Sequence, residues 1–306
     1  MDNLKLCFEG NDFVSDFFKN KIEHQEVAFN ECDYLISSSF EIGIKKRSDI
    51  QSRLSKYKKF NKKVIVFLIT DSVEVLDIPK NVFLFRTSLY KKLKKPNEFL
   101  LPYIWESFDE KFNSLLKTQK PIVGFCGNVK NNTGKRQSTI NAISSCKNIV
   151  SNFDTKLTFW GGNPHNEKII DDFKNNILES HFTICNRGVG NFSMRFYQVM
   201  SLGRIPVLID SDMIFPFENE INWNDLIITA KNEIELISKI ESFWNHKSNE
   251  EIVELQLKCK KVFQEYLSPK GFGEKITPFL IKNKNIEITV EHKSFIDKLY
   301  CKIFQK

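Results

Sequence analysis

The sequence predicts an α/β protein made of two doubly wound parallel sheets in series. Three observations carry this. Short apolar runs alternate with amphipathic stretches along most of the 306 residues. One run, Val64 to Ile69, is apolar throughout, as a strand buried on both faces must be. The alternation also weakens once and then restarts, and strand–helix alternation of this kind implies parallel sheets with helices on their faces.

In the first series Leu4 to Phe8, Asp33 to Ser37, Val64 to Ile69 and Val82 to Phe85 read as strands, with Phe13 to Ile22 and Ser48 to Phe60 as intervening helices. The pattern fades between Phe99 and Lys120, around Pro102 and before Pro121, which places a boundary there. The expected domains are therefore 1–118 and 119–282, with a tail over 283–306. In the second series the strands are Pro121 to Phe125, Lys156 to Trp160, His181 to Cys185, Ile205 to Ile209 and Leu226 to Thr229. Its helices are Lys135 to Val150, Glu167 to Ile177, Ser193 to Leu202, Asn232 to Trp244 and Asn249 to Tyr266. Two doubly wound units in one chain are expected to take a ligand in the crevice at the carboxyl ends of their strands.

Composition narrows the function classes. Hydrophobic residues are 41% and charged residues 27%, with 28 Phe against 12 Gly and 9 Pro, a balance that favours packed layers over disorder. No run approaches the ~20 apolar residues that span a bilayer. Met1 to Glu9 lacks the apolar core of an export signal, so a cytoplasmic location is expected. The seven cysteines are scattered without a Cys-x-x-Cys pair, which fits a reduced compartment and no zinc site. Cys7, Cys126 and Cys185 sit in apolar, strand-like contexts as small buried hydrophobes. The net charge of +7 comes largely from lysine runs at Lys56 to Lys63 and Lys91 to Lys95. No nucleic-acid-binding motif accompanies it, and solvated lysines, anionic sugar phosphates or a membrane surface suit the charge equally.

The most informative stretch is Cys185-Asn-Arg-Gly-Val-Gly-Asn-Phe-Ser-Met-Arg-Phe-Tyr-Gln-Val-Met-Ser-Leu-Gly-Arg-Ile-Pro-Val. A strand ends at Cys185, a loop carries Arg187, Gly188 and Gly190, and a helix opens with Ser193 as its N-cap. Glycines at such a junction let backbone approach a ligand, and the helix start offers free N–H groups. Arg187 and Arg195 are fixed planar donors suited to phosphate oxygens. The spacing fits a diphosphate site, or equally a common glycine turn with Arg195 in a surface ion pair.

This stretch resembles the exostosin-type (family 47) glycosyltransferases, especially bacterial members that build surface polysaccharides. The likeness runs through Arg-Gly-x-Gly, Ser-x-Arg-x-Tyr and Gly-x-Ile-Pro-Val into Leu208 to Asp212, Phe215-Pro216-Phe217-Glu218 and Ile221-Asn222-Trp223. Upstream, Phe85-Arg-Thr-Ser-Leu-Tyr, Asn97-Glu98, Leu101-Pro102-Tyr103 and Pro121-Ile-Val-Gly-Phe-Cys-Gly also fit. One position departs: Gln198 stands where the family usually has an acid that holds ribose hydroxyls, and glutamine can still bond there without charge assistance.

The resemblance implies a GT-B architecture, two Rossmann-like domains facing a central cleft. It also implies inverting transfer from a nucleotide sugar, often a UDP-sugar, to a hydroxyl of a glycan or lipid-linked glycan, as in lipopolysaccharide or capsule assembly. The nucleotide sugar is a co-substrate, and neither a further cofactor nor a metal is expected. The diphosphate candidates are Arg187, Gly188, Gly190, Ser193 and Arg195, with Lys135 and Arg136, which open the helix after the Gly127 to Gly134 loop, as a second basic group. Those two equally read as exposed helix-start charges. Gln198 is the ribose candidate, and Tyr197 is expected to pack. A base must deprotonate the acceptor. Asp71, at the carboxyl end of the Val64 strand, is preferred and Glu98 is second, although a turn cap explains aspartate at 71 as well. Asp212 and Glu218 fit the donor sugar.

Two rivals remain open. A nucleotide-sugar-binding partner subunit without catalysis would account for Gln198. An NAD-type oxidoreductase would share the sheets, but the Gly-x-Gly-x-x-Gly fingerprint is missing. The tail, Glu291 to Lys306, places Phe295, Ile296, Leu299, Tyr300, Ile303 and Phe304 at helical spacing, a stripe that fits the protein's own core or an anionic membrane.

Overall fold

A computed structural model describes residues 3–38, 46–108, 110–130, 134–158, 163 and 165–286. The tail stripe lies outside these residues. The chain packs as two compact units, Met1–Pro102 together with the helix that begins at Pro269, and Tyr103–Ser268.

Unit 1 contains β1 (Leu4–Phe8), α1 (Phe13–Lys21), β2 (His24–Glu26), β3 (Tyr34–Ile36), α2 (Arg47–Ser55), β4 (Lys63–Leu68), β5 (Val82–Arg86) and β6 (Glu98–Leu100). Its sheet has the order β2-β1-β3-β4-β5-β6, parallel throughout. Every residue of β4 is buried, as its continuous apolar run required. α1 starts at a capping box, with Asp12 accepting from Val14 and Ser15 while the Ser15 hydroxyl accepts from the Asp12 N–H.

Unit 2 contains β7 (Ile122–Asn128), α3 (Lys135–Ser144), β8 (Val150–Lys156), α4 (Glu167–Leu178), β9 (Phe182–Ile184), α5 (Met194–Ser201), β10 (Ile205–Ile209), β11 (Ile228–Ala230), α6 (Glu233–His246) and α7 (Asn249–Val262). The sheet order is β11-β10-β9-β7-β8, again all parallel. This is the doubly wound order in which the winding reverses between the first and third strands, here β7 and β9. The expectation of two Rossmann-like α/β units is met.

Three local expectations are corrected. β8 occupies Val150–Lys156, where a helix ending at Val150 and a strand from Lys156 to Trp160 were expected. β8 is an edge strand, Val-Ser-Asn-Phe-Asp-Thr-Lys, so it needs no apolar run. Its start is set by Val150 N–H donating to Pro121 O. The short strands β2 and β6, also at edges, carry no strand pattern in the sequence. The third correction is α8 (Pro269–Asn283), which returns to unit 1. Phe272 packs on Phe17 and Phe67, Phe279 packs on Phe83, Phe85 and Phe99, and the Tyr34 hydroxyl donates to Leu280 O at 2.8 Å.

The first division therefore falls at Pro102/Tyr103 rather than 118/119. The connecting segment lies on unit 2, where Phe108 N–H donates to Ser201 Oγ, Leu115 N–H to Gln256 Oε1, and Arg204 Nη1 to Asn113 O. Polar composition marked this stretch as a linker, but its backbone groups are satisfied by unit 2.

Candidate functional site

The site is built where β7 and β9 part. These strands pair only at Val123–Phe182 and Gly124–Thr183. Beyond that register the two strands no longer pair, which opens a gap at the carboxyl ends, where doubly wound sheets bind ligands. Arg195, from the first turn of α5, fills the inner end of the gap. Its Nη2 donates to Cys126 O at 2.8 Å and Nη1 to Ile184 O at 3.4 Å, and its guanidinium lies 4.2 Å from the centroid of Phe125. Gly127 makes room: its φ is +136°, and a Cβ there would meet Arg195 Nη2 at 2.8 Å. Burial pushes the Arg195 pKa below its ordinary value. Arg195, a diphosphate candidate from the sequence, thus gives one bond from each Nη group to a strand, while its Nε is buried without a partner.

Arg136 takes the outer position. Half-buried at the start of α3, it donates from Nη1 to Asn128 O at 3.1 Å and from Nε to Asn186 O at 3.4 Å. A Cβ on Gly188 would sit 3.4 Å from its Nη2, so the loop backbone passes close to that guanidinium. Asn186 fixes the arrangement. It donates to Lys135 O and Thr139 Oγ1 at 3.1 and 2.8 Å and accepts from Ile209 N–H at 2.8 Å, tying α3, the glycine loop and β10 together. Lys135 is exposed beside Arg136, after Gly134 in the left-handed region at φ 65°.

The loop from Arg187 to Ser193 closes over the start of α5. Gly188 N–H donates to Phe192 O at 3.2 Å, and Arg187 Nη2 donates to Val189 O at 2.8 Å. Gly190 is buried. Ser193 is the N-cap of α5, yet its hydroxyl makes no capping bond and is buried without a partner. A buried hydroxyl left unmatched costs free energy unless a ligand supplies the bond. The Ser211 hydroxyl, just beyond β10, is likewise buried without a partner. Gln198 and Tyr197 are buried on α5. Tyr197 packs edge-on against Phe196, and burial pushes its hydroxyl pKa up.

The base candidates lie in unit 1 and differ sharply. Asp71 is exposed just past the carboxyl end of β4, in a turn where Thr70 Oγ1 accepts from Ser72 N–H and Asp71 O accepts from the Ser88 hydroxyl at 3.2 Å. Glu98 has both its oxygens engaged, Oε1 by buried Arg86 at 3.0 Å and Oε2 by Lys95 N–H at 3.1 Å. It neutralises Arg86, which also donates to Ser72 O and Glu74 O.

Sequence reasoning missed a carboxyl in unit 2. Glu106 accepts from the Tyr103 hydroxyl at 3.3 Å, and Tyr103 stacks on Phe192 of the glycine loop with centroids 6.1 Å apart. Burial raises the Glu106 pKa, with the Tyr103 bond opposing. A carboxyl tuned upward beside a candidate site suits general-base work. No motif marks it. Also missed is Asp210-Ser211-Asp212, an Asp-x-Asp triplet present in the sequence at the carboxyl end of β10. Asp210 Oδ1 accepts from Asp212 N–H at 2.9 Å, and Asp212 has φ 58°. Among the described residues no group of three His, Cys, Asp or Glu side chains is placed to hold a metal ion.

Residues 97–242, just under half the chain, match the family model described as the Exostosin GT47 domain. The match spans β6 and unit 2 through most of α6, and so holds every unit 2 residue named above as a site candidate. A search of curated proteins gave no match. Solved structures of similar fold include the spinosyn rhamnosyltransferase SpnG, complexed with spinosyn aglycone. It is 8% identical, covering 80% of this chain and 73% of that one at a TM-score of 0.42. A glycosyltransferase from Rickettsia africae ESF-5 is 10% identical over 92% of this chain and 100% of its own at 0.44. TarM is 15% identical over 92% of this chain at 0.45, and the chain spans 54% of TarM's length.

Proposed function

We propose that this protein transfers a sugar from a nucleoside-diphosphate sugar to a hydroxyl of a growing glycan, holding the donor diphosphate at the carboxyl edge of the unit 2 sheet. The observation that carries the reading is the grouping of Arg136, Arg187 and the unpartnered Ser193 hydroxyl at the start of α5, within a segment matching a glycosyltransferase domain. In the reaction a base takes the acceptor proton. The acceptor oxygen then bonds to the anomeric carbon as the carbon–oxygen bond to the diphosphate breaks, and the bonding pair leaves with the diphosphate. Arg136, Arg187 and the α5 amides would meet that developing charge. Lys135 would add a mobile charge at the rim. Asp71 and Glu106 are the base candidates, the first by its exposure at a strand end and the second by its raised pKa. Gln198 would bond to the ribose.

The finer reading is a UDP-sugar donor, inversion at the anomeric carbon, no metal requirement, and an acceptor in lipopolysaccharide or capsule on the cytoplasmic side. The free thiols of the six described cysteines fit a reducing compartment. Gln198 keeps a second reading in view, a donor-binding subunit that performs no transfer. Thermal stabilisation by UDP-, GDP-, ADP- and CMP-sugars, followed by turnover with and without EDTA, tests these points. A donor at ~100 times its Kd should add about 2.7 kcal/mol. Stabilisation only by CMP-sugars, which carry a single phosphate, would refute the diphosphate site. Stabilisation without transfer or hydrolysis would favour the subunit reading. Loss of turnover in EDTA, rescued by manganese, would point to Asp210 and Asp212.

A further inference from the structure

We infer that the amino-terminal edge of the unit 1 sheet is a docking face for an anionic lipid bilayer. In a parallel sheet every strand starts at the same edge, so residues just ahead of successive strands gather there. Lys58, Lys59 and Lys62 lead into β4, Lys80 into β5, and Lys94 and Lys95 into β6. α8 ends at this edge too, since the Lys63 ammonium donates to Lys284 O, which brings Lys282 and Lys284 alongside.

The edge is one interlocked surface rather than separate loops. Asn81 Nδ2 donates to Phe60 O and Lys62 O at 3.1 and 2.9 Å. Lys62 Nζ donates to Asn30 O and Cys32 O at 2.8 and 3.0 Å, and Asn97 Nδ2 to Pro79 O and Val82 O at 3.0 Å each. Lys94 lies 5.6 Å over the Phe99 ring, which packs on Phe279 of α8. The acids leading into the strands here are Glu23, Glu31, Asp33 and Asp77. Asp33 accepts from Lys5 N–H, and Asp77 pairs with Lys95 at 3.6 Å. The face is therefore strongly basic.

Aliphatic side chains stand among these lysines. Leu93 is 51% exposed, Ile281 38% and Ile286 54%. An anionic bilayer uses both features, headgroups for the ammonium groups and the interfacial layer for the aliphatic tips. A nucleic acid would use only the lysines. Stacking on single strands needs aromatic faces, and no aromatic is among the large exposed hydrophobics of the described residues. Docking through this edge leaves the carboxyl edge of the same sheet, with Asp71, turned away from the lipid. The inference rests on unit 1 alone and is independent of what unit 2 transfers.

The test is co-sedimentation of the full-length protein with vesicles of phosphatidylcholine alone, or mixed equally with phosphatidylglycerol, at about 0.1 M salt, where charge is felt over ~10 Å. The triple variant Lys58→Glu, Lys59→Glu, Lys94→Glu is compared with an equal charge change on unit 2, Lys147→Glu, Lys258→Glu, Lys261→Glu. The parent protein should sediment only with the anionic vesicles. The unit 1 variant should lose at least about a hundredfold in partitioning, since each lysine near such a surface contributes about 1 kcal/mol, or fivefold. The unit 2 variant should bind like the parent. If glutamate at these positions lowers the melting temperature, the glutamine triple is used and, having lost the same three lysines, should still lose about a hundredfold. Equal binding by the parent and the folded unit 1 variant overturns the inference. So does failure of the parent to prefer anionic vesicles, or its displacement from them by a short RNA at matched phosphate concentration.

Discussion

Replacing Arg195 with alanine separates a strand clasp from a ligand contact. The guanidinium bridges Cys126 O on β7 and Ile184 O on β9 just past the last paired residues of the two strands, and it stacks on Phe125. Truncation leaves two buried carbonyls without these donors, each costing about 1–3 kcal/mol. It also removes a cation–π contact of about 0.5–2 kcal/mol. Against this, the variant no longer desolvates a charge, and desolvation is the largest influence on the Arg195 pKa. The expected net loss is about 2–4 kcal/mol in unit 2. All four tryptophans lie within Tyr103–Ser268, so their fluorescence in urea follows unit 2 specifically. Arg195→Lys, which cannot reach both carbonyls with a planar fork, should recover less than half of the loss. An unchanged fluorescence midpoint together with lost donor binding would refute the clasp and return Arg195 to the diphosphate.

Three further outcomes follow from the same geometry. His181 Nδ1 accepts from Ile122 N–H and Nε2 donates to Leu116 O, and burial lowers its pKa below 6.5. Below pH 6.5 the unfolded chain therefore takes a proton that the folded chain refuses. Unit 2 should lose up to about 1.4 kcal/mol per pH unit on acidification, with no change above, and His181→Asn should flatten that slope by one proton. Glu98→Gln strands the buried Arg86 charge and should destabilise unit 1 by about 3 kcal/mol in urea, read by circular dichroism, while turnover below the transition persists. Loss of turnover at full stability would instead make Glu98 the base. If Glu106 is the base, the acid limb of kcat/KM lies above the ordinary carboxylate range, because its pKa is raised, and Glu106→Gln removes the limb with a loss of about 10²–10⁴. A limb that survives in Glu106→Gln and vanishes in Asp71→Asn assigns the role to Asp71.

The sequence makes some of this legible for clear reasons. β4 announces itself because burial on both faces leaves no polar position, and the glycine loop before α5 does so because a ligand-facing turn needs its backbone bare. β8 stays hidden because an edge strand may be polar. α8 shows an apolar face, but periodicity says only that a face is buried, not which unit buries it. Arg136 and Arg195 look alike as helix-start arginines, yet their neighbours differ. Arg195 precedes Phe-Tyr-Gln-Val-Met, and α5 is buried from Arg195 through Ser201, whereas α3 opens with Lys-Arg-Gln-Ser-Thr and is largely exposed in its first turn. A helix without a polar face turns its arginine inward, and that signal was available in the sequence. Glu106 was not legible, since its raised pKa depends on burial that no local pattern encodes.

Titration calorimetry of the preferred nucleotide sugar against the parent protein and Arg136→Ala tests the central claim most directly. Arg136 makes two backbone bonds at the opening between β7 and β9, so its loss should cost the fold little, about 1 kcal/mol. A charge-assisted contact to the diphosphate should be worth about 1.5–3 kcal/mol, a weakening of roughly 10- to 150-fold. The account predicts that weakening at a nearly unchanged urea midpoint, with free nucleoside diphosphate affected as strongly as the sugar nucleotide. Equal affinity in the two proteins, or no binding of any nucleoside-diphosphate sugar to the parent, would contradict it.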